Sequence, residues 1–340
     1  MKKFIRTDID IDETDEAPAQ TQTDATSTSL RPSDFDGYVG QEDARKVIVM
    51  AIHAARERRE PLDHILLHGP PGLGKTTLAG IIASEMGCRM RTVAGPSIGH
   101  SGEMAAVLNS LGEKDVLFID EIHRLDRTVE ETLYQAMEDR CIDIIMGKGA
   151  EARSIRLNLP EFTLIGATTR EGMLSPPFRD RFGISLKMQY YNVEELSEIV
   201  KRSARKLCIG MTDEGAVAIA KASRGTPRIA NRLLKRARDA AQSAGMSQVT
   251  EELVMDVFAL LGIDPSGLGR TDMDILGVLH EAGGTAGLST IASALGEDPG
   301  TIEEVYEPFL LKNGLIRKTP KGRVMTEKAA GRLRSVRSKG

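Results

Sequence analysis

Few protein folds accommodate residues 69–76, which read Gly-Pro-Pro-Gly-Leu-Gly-Lys-Thr and fit the pattern G-x-x-x-x-G-K-[ST]. Glycines let the backbone curl so that successive N–H groups point at phosphate oxygens, and the following helix presents its positive end to the same anion. Lys75 can reach the β- and γ-phosphates of ATP, and the Thr76 hydroxyl can ligate Mg²⁺. An apolar run at residues 65–67 precedes the turn and a helical stretch at 76–86 follows it. The context therefore favours a nucleotide site over a chance glycine turn.

The chain around this loop alternates apolar runs with helical patterns. Residues 116–119 and 162–165 are two further short apolar runs, and between residues 41 and 59 the apolar side chains recur at helical spacing. Strands that alternate with helices predict an α/β fold, in which a parallel sheet is covered by helices on both faces.

Beyond Met188 the strand pattern stops and helical periodicity replaces it. Four helices are predicted, at residues 194–207, 213–223, 228–243 and 251–261, and a Gly-rich loop at 262–269 follows them. Three shorter helices, at 272–281, 289–295 and 301–313, then precede a hairpin that turns at 320–322. Three helices followed by a β-hairpin predict a winged helix.

These patterns divide the chain into five segments. We expect a disordered acidic tail at 1–29, a large P-loop ATPase domain at 30–187, a small all-α lid domain at 188–268, a winged-helix DNA-binding domain at 269–336 and a short basic tail at 337–340.

Two carboxylates end the apolar run at 116–119. Asp120 and Glu121 would emerge at the C-terminal edge of the sheet, where ligands bind in open α/β folds. Asp120 would hold the Mg²⁺ shell, and Glu121 would polarise the attacking water as general base. An acidic helix cap is the alternative, but a P-loop in the same domain favours catalysis. For His123, a nucleotide-sensing role and a packed or capping role remain equally open.

Hydroxyl and guanidinium groups follow the same region. Thr168 and Thr169 end the third strand, where they could bond the γ-phosphate or the lytic water, or be ordinary strand-end residues. Arg179 and Arg181 could each stabilise transition-state charge on a neighbouring subunit or pair with Asp180, and chemistry does not separate the two. Arg228 opens a predicted helix and could point back to the phosphates or face solvent.

Composition excludes several classes of protein. The absence of Trp and the 4% content of aromatic residues argue against a base-stacking platform, and the net charge of −4 argues against a uniformly basic binder. Cys88, Cys141 and Cys208 lack metal-ligand spacing and are expected to be reduced thiols. Without a bilayer-length apolar run or a signal peptide, the chain is expected to be cytoplasmic, with no membrane partner.

The C-terminal region is locally basic. From Lys312 onward, basic residues greatly outnumber the one acid, Glu327. Lys318 and Arg323 flank the hairpin turn, so we predict that they contact DNA phosphates. The predicted helix at 301–313 carries three glutamates, which suits non-specific backbone tracking better than base reading.

The motifs, taken in order, resemble those of the AAA+ ATPases. They are the Walker A loop, Asp-Glu-Ile-His at 120–123, Gly-Ala-Thr-Thr at 166–169, Arg-Asp-Arg at 179–181, Gly-Thr-Pro-Arg at 225–228 and the winged helix. At closer range the sequence is similar to the RuvB family, the bacterial motors of Holliday junction branch migration, from about residue 30 to residue 334.

The resemblance implies roles for individual residues. Arg181 would be the finger that acts on the neighbouring subunit, and Arg228 would be a second sensor of the nucleotide. Lys75, Asp120 and Glu121 would complete the catalytic set. The remaining contacts with ATP and Mg²⁺ would come from Leu30, Arg31, Gly72, Gly74, Thr76, Thr77, Thr169 and Tyr191.

The resemblance also implies partners. Family members work as hexameric rings around duplex DNA, with two rings flanking a Holliday junction bound by RuvA. The segment between Cys141 and Leu157 would form the hairpin that engages RuvA, with Ile144 and Ile145 suited to an apolar contact. The junction resolvase RuvC is a further candidate partner.

The sequence leaves three functions to compare. The first is an ATP-driven DNA motor for branch migration in recombination and repair. The alternative is an AAA+ loader or initiator, which uses ATP to assemble on DNA without translocating. A protein unfoldase is less favoured because the sequence has no aromatic-glycine pore loop to grip a polypeptide.

Overall fold

A five-stranded parallel sheet organises the N-terminal half of the protein. A computed structural model describes residues 30–146 and 153–337. The tail predicted at 1–29, and all but Arg337 of the tail predicted at 337–340, therefore lie outside the described residues. The strands are β1 (Ile65–His68), β2 (Met90–Ala94), β3 (Val116–Asp120), β6 (Thr163–Thr168) and β7 (Ile184–Lys187). They lie in the order β2-β3-β6-β1-β7, and every neighbouring pair is parallel.

Helices cover both faces of this sheet, as the α/β pattern predicted. Alternate strand residues point to opposite faces: Leu67 and Phe118 pack into one buried cluster, and Leu66 and Leu117 into another. The first cluster is covered by α1 (Glu42–Arg58) and α2 (Lys75–Met86), and the second by α3 (Ser101–Asn109) and α4 (Arg127–Asp139). The one-turn helix α5 (Pro176–Arg179) follows β6.

A β-hairpin follows directly after α4. Its strands β4 (Cys141–Met146) and β5 (Arg153–Asn158) pair antiparallel, with Cys141 opposite Asn158. The predicted hairpin is therefore present, but its tip at 147–152 lies outside the described residues, as do the side chains of Ile144 and Ile145.

Four helices form the lid that follows. They are α6 (Val193–Lys206), α7 (Asp213–Ala222), α8 (Pro227–Ser243) and α9 (Glu251–Leu261). A capping box starts α6, because the Asn192 side chain accepts from Glu195 N at 2.7 Å and the Glu195 side chain accepts from Asn192 N at 2.9 Å. Buried residues of α6 and α8, such as Ile199 and Leu234, extend the first cluster, so the lid shares a core with the sheet domain.

The C-terminal residues fold into a winged helix with its own core. Its helices are α10 (Arg270–Glu281), α11 (Leu288–Leu295), a third helical run and α14 (Glu327–Arg337). The third run consists of α12 (Pro299–Thr301), a π-helical segment at Ile302–Tyr306 and α13 (Glu307–Lys312). A three-stranded antiparallel sheet of β10 (Thr285–Ala286), β12 (Gly322–Met325) and β11 (Ile316–Thr319), in that order, forms the wing.

The structure adds strands that the sequence reading missed. β2 and β7 are the two edges of the main sheet, and both are partly exposed to solvent and include polar residues, so neither forms a continuous apolar run. The expectation that strands stop near Met188 was also wrong, since β8 (Gly210–Met211) and β9 (Gln248–Val249) pair within the lid. In the described residues, no helix has the length and apolar character needed to cross a membrane.

Candidate functional site

The loop between β1 and α2 curls because its glycines adopt left-handed backbone conformations. The φ angles of Gly69, Gly72 and Gly74 are 137°, 77° and 93°, which L side chains rarely adopt. At Gly69 a Cβ would also lie 2.9 Å from the carbonyl oxygen of Met188. Helix α2 starts directly at Lys75, so the N–H groups of its first turn have no partners within the helix. This arrangement suits an anion.

Lys75 lies inside the loop. Its side chain is buried, and Nζ donates to the carbonyl oxygens of Gly69 at 2.8 Å and Pro70 at 3.0 Å. Burial lowers the pKa of Lys75, while the nearby Glu121 and Asp120 carboxylates act in the opposite direction. The ammonium group is thus held between the loop carbonyls and the carboxylates of Asp120 and Glu121, where it can meet phosphate oxygens.

Asp120 and Glu121 come together with Lys75 at the C-terminal end of β3. All three line one cavity between the sheet domain and the lid. The Glu121 backbone is left-handed, with φ 49°, and its N–H donates to Asp120 Oδ1 at 3.1 Å. Burial, followed by the charge of Asp120, raises the pKa of Glu121. A carboxylate with a raised pKa at such a position suits a general base.

Gly95 supports this carboxylate pair and was not singled out by the sequence reading. It follows β2, and a Cβ at Gly95 would lie 2.4 Å from the carbonyl oxygen of Glu121. A side chain there would displace the backbone that carries the catalytic acid. A glycine after a strand is a weak signal in sequence, because the need for it arises from the backbone of Glu121, which follows the neighbouring strand β3.

The hydroxyls at the end of β6 contact Glu121 and His123, which directly follow β3. Thr169 Oγ1 donates to Glu121 Oε2 at 3.2 Å, and Thr168 Oγ1 lies 3.0 Å from His123 Nδ1. His123 Nδ1 is also 3.2 Å from Glu121 Oε2, and burial lowers the pKa of this histidine. His123 therefore belongs to the polar network of the site, where it contacts Thr168 and Glu121.

The far side of the cavity is formed by residues distant in sequence. Leu30, Arg31 and Tyr191 line it together with Gly72, Gly74, Thr76 and Thr77 of the loop. Leu30 is buried and Arg31 is exposed. These residues, which the family resemblance named, are therefore brought to one cavity by the fold.

Tyr38 and Val39 also line the cavity and were missed as site residues. The Tyr191 hydroxyl donates to the Leu73 carbonyl at 3.2 Å and lies 3.4 Å from the Tyr38 hydroxyl. Gly40, with φ 76°, lets the chain pass the Tyr191 ring, since a Cβ there would lie 2.7 Å from it. The tyrosine pair thus joins the N-terminal segment, the loop and the lid.

Arg228 reaches the same cavity from the start of α8. It lines the cavity, and its Cβ would be 3.1 Å from a Cβ at Gly72. The backbone N–H of Arg228 donates to the Gly72 carbonyl at 3.4 Å. The lid helix therefore begins against the phosphate loop, as a sensor role requires.

Arg181 lies outside the cavity that Lys75, Asp120 and Glu121 line. It is not among the described residues that line this cavity, and neither is Arg179. Arg181 Nη2 donates to the Tyr134 hydroxyl at 2.6 Å, Nη1 pairs with Glu138, and the guanidinium carbon lies 4.8 Å from the centre of the Tyr134 ring. Helix α4 thus holds Arg181 in an ordered position away from the nucleotide cavity of its own chain.

The two predicted DNA contacts on the wing have different surroundings. Lys318 lies on β11 with half of its side chain exposed, and Nζ is 2.5 Å from Glu303 Oε1. Arg323 on β12 is buried, and its guanidinium makes two hydrogen bonds to the buried carboxylate of Glu307. Arg323 is therefore held by a partner from the third helical run, and its predicted contact with DNA stays a prediction.

Other basic side chains are exposed on the same wing. Arg317 on β11 and Lys321 in the turn are exposed, so together with Lys318 they give the wing a positive surface. The three glutamates of the third helical run take part in ion pairs within the chain: Glu303 and Glu307 with wing residues, and Glu304 with Arg170. In this arrangement those carboxylates face protein groups.

Comparisons with known proteins match each of the three domains described above. The family model for the Holliday junction DNA helicase RuvB P-loop domain matches residues 30–188. The RuvB AAA lid domain matches residues 191–264, and the RuvB C-terminal winged helix domain matches residues 265–334.

Solved structures agree with these matches. The Thermotoga maritima RuvB Holliday junction branch migration motor is 46% identical, with a TM-score of 0.82 over 90% of this chain and 98% of that chain. A point mutant of Thermotoga maritima RuvB is 47% identical, with a TM-score of 0.83 over the same shares of the two chains. The lid and the winged helix therefore match together with the sheet domain.

Proposed function

The chain belongs to the RuvB family of Holliday junction DNA helicases, and from this premise we propose that it hydrolyses ATP to drive branch migration of Holliday junctions in recombination and repair. The observation that carries the proposal is the meeting of Lys75, Asp120 and Glu121 at one cavity, within a chain that matches all three family domains.

ATP is bound between the sheet domain and the lid. The loop N–H groups and Lys75 hold the β- and γ-phosphates. Leu30, Arg31 and Tyr191 contact the rest of the nucleotide, and Arg228 reports the phosphate state from α8. The support for these roles is that all of these residues line the same cavity.

Mg²⁺ fits the donors available beside the phosphates. The Thr76 hydroxyl and the Asp120 carboxylate both line the cavity next to Lys75, and Mg²⁺ prefers such hard oxygen ligands, with phosphates and waters completing its shell. A bound Mg²⁺ would neutralise charge on the β- and γ-phosphates. Thr76 and Asp120 hold the ion in our proposal.

Hydrolysis depends on Glu121 as general base. Its carboxylate accepts a proton from the water that attacks the γ-phosphorus, as the bond to the β–γ bridging oxygen breaks. The raised pKa of Glu121 makes it a stronger proton acceptor than an ordinary glutamate. Thr169, which donates to the same carboxylate at 3.2 Å, orients it.

Arg181 completes the site of a neighbouring subunit. An arginine near the γ-phosphate stabilises transition-state charge, and Arg181 is ordered by Tyr134 and Glu138 outside its own nucleotide cavity. This position suits action in trans within a homo-hexameric ring. Efficient hydrolysis then belongs to the assembly and not to the single chain.

DNA and protein partners contact the parts of the chain outside this cavity. The exposed basic side chains of the wing, Lys318 among them, contact the phosphates of duplex DNA. The hairpin of β4 and β5 engages RuvA, and RuvC would act on the same junction. The support for the hairpin role is that β4 and β5 form a two-stranded sheet separate from the main sheet.

A junction assay tests the proposal. The chain, RuvA, ATP and Mg²⁺ are incubated with a synthetic four-way junction carrying one labelled strand, and conversion to duplex arms is measured. We expect arms with the wild type and with Glu113→Gln, a matched change at an exposed position, but none with Glu121→Gln.

The same assay separates the alternative function. If the junction stimulates ATP turnover but no strands are exchanged at any RuvA concentration, the motor proposal fails. The chain would then be an AAA+ loader that uses ATP to assemble on DNA without translocating. If the wild type turns over no ATP with or without the junction, the assignment of the catalytic residues also fails.

A further inference from the structure

One ion pair joins the strand-end hydroxyl loop of the sheet domain to the winged helix. Arg170, directly after Thr169, pairs through Nη2 with Glu304 Oε1, and the two residues are 134 positions apart in sequence. Glu304 lies in the π-helical segment Ile302–Tyr306 of the third helical run. The DNA-binding domain thus touches the loop that carries the site hydroxyls.

Arg170 is connected to the catalytic carboxylate by short polar contacts. Its backbone N–H donates to Thr168 Oγ1 at 3.0 Å, and that oxygen lies 3.0 Å from His123 Nδ1. His123 Nδ1 is in turn 3.2 Å from Glu121 Oε2. An unbroken set of contacts therefore runs from Glu304 to Glu121.

A second, parallel contact reaches the same carboxylate. Thr169, between Thr168 and Arg170, donates to Glu121 Oε2 at 3.2 Å. The position of residues 168–170 thus determines how Thr169 and His123 contact Glu121 Oε2. Whatever fixes the Arg170 side chain restrains this three-residue loop.

Sequence neighbours of Glu304 do not share its role. Glu303 pairs with Lys318 and Glu307 with Arg323, both on the wing. Glu303 and Glu304 are consecutive residues of the π-helical segment, and their ion pairs show that Glu303 faces the wing while Glu304 faces the sheet domain. Among the ion pairs of these three glutamates, the one with Arg170 is therefore made by Glu304.

Other contacts hold the winged helix against the rest of the chain. Lys312 Nζ lies 4.0 Å from the centre of the Tyr190 ring. Arg224 of the lid pairs with the buried Asp272 at 2.5 Å, and its guanidinium carbon lies 4.7 Å from the Phe309 ring centre. These contacts present Glu304 to Arg170 without depending on the ion pair itself.

We infer that Glu304 of the winged-helix domain is a positioning residue for ATP hydrolysis, which acts through Arg170 on the loop that orients Glu121. This inference rests on the proposed ATPase role of Glu121. It makes the catalytic geometry of the sheet domain depend on where the DNA-binding domain lies.

The expected effect is modest. The side chains of Arg170 and Glu304 are 41% and 53% exposed, and exposed ion pairs change equilibria by about two- to five-fold. Since ATP is held mainly by the phosphate loop and the lid, loss of the pair should lower kcat by about two- to five-fold and leave KM unchanged.

The test measures steady-state ATP turnover against ATP concentration with the full chain and no DNA, together with the Kd of a fluorescent ADP analogue. Glu304→Gln and Arg170→Gln should each lower kcat by about two- to five-fold at unchanged KM and Kd. The charge reversal Arg170→Glu with Glu304→Arg should restore kcat. Glu281→Gln, an exposed glutamate at the end of α10 in the same domain, is the matched control and should behave as the wild type.

Each remaining outcome overturns the inference. The pair does not position the site if kcat is unchanged in Glu304→Gln or if Glu281→Gln has an equal effect. The same conclusion follows if the double reversal has a kcat no higher than Arg170→Glu or Glu304→Arg alone. A change confined to Kd would place Glu304 in nucleotide binding. If the proposed ATPase function itself fails, the result is distinguishable, because the wild type would then show no ATP turnover.

Discussion

Replacing Arg323 by alanine tests whether this residue stabilises the wing or contacts DNA. Its guanidinium makes two hydrogen bonds to Glu307, and only 9% of Arg323 and 2% of Glu307 are exposed. Removing one partner of a buried ion pair costs about 3–5 kcal/mol, because the other charge is left without compensation. Lys318 Nζ, 3.7 Å from Glu307 Oε2, supplies part of the missing charge, so we expect the lower end, about 3 kcal/mol.

Hydrogen exchange of the full chain measures this change locally. About 3 kcal/mol corresponds to a roughly 100-fold larger population of locally open states. Peptides that cover β11 and β12 should therefore lose protection in Arg323→Ala, while peptides from the five-stranded sheet should not change. The double variant Arg323→Met with Glu307→Leu should regain the protection, since apolar pairs replace buried ion pairs at little cost.

Lys318→Ala is the matched control on the neighbouring strand. Its side chain is half exposed, so its loss should change the stability of the wing by less than about 1 kcal/mol. It should instead lower duplex affinity and reduce the slope of log K against log salt concentration by about 1. The reasoning is refuted if Arg323→Ala keeps full protection of β11 and β12 and shows this change in salt slope.

Three further predictions concern the site and the sheet. Glu121→Gln should bind ATP with wild-type affinity yet lower turnover by about 10²- to 10⁴-fold in a phosphate-release assay, and retained turnover would exclude Glu121 as the base. Inactive Lys75→Ala and inactive Arg181→Ala subunits, once mixed, should recover part of the hydrolysis, whereas no recovery at any ratio contradicts a finger in trans. Burial lowers the pKa of His64 from 6.5 to about 4, so the unfolded chain binds more protons between these values. Stability should fall as pH drops through this window, by about 2 kcal/mol between pH 7 and 5 in urea unfolding. His64→Gln should show less of this loss, and an equal loss would rule out His64 as its source.

Much of the fold was accessible from the sequence because its signals are local. The buried strands β1, β3 and β6 were recognised as apolar runs, although β6 continues three residues beyond its run. The lid helices were recognised as 3.6-residue periods, with ends correct to within one residue. The edge strands β2 and β7 were missed, because an edge strand buries only part of its surface and carries polar residues. The hairpin wing was found from its turn, since a turn places residue types at fixed positions.

The candidate site was accessible only in part. Lys75, Asp120 and Glu121 belong to motifs whose spacing reflects the chemistry, so each could be assigned before the structure. Gly95 and Tyr38 carry no such local signal. Gly95 allows the close approach of the Glu121 backbone, and Tyr38 contacts the Tyr191 hydroxyl.

The loop at 69–76 by itself determined that this chain holds a nucleotide on a strand–loop–helix unit, because the required backbone angles and charges are contained in eight consecutive residues. Only the tertiary structure decided which arginines line the cavity, that Arg323 is buried while Lys318 is exposed, and that Glu304 reaches Arg170. The physical reason is that a charged side chain is specified by its type in sequence, whereas its role depends on the charges and surfaces that packing brings to it.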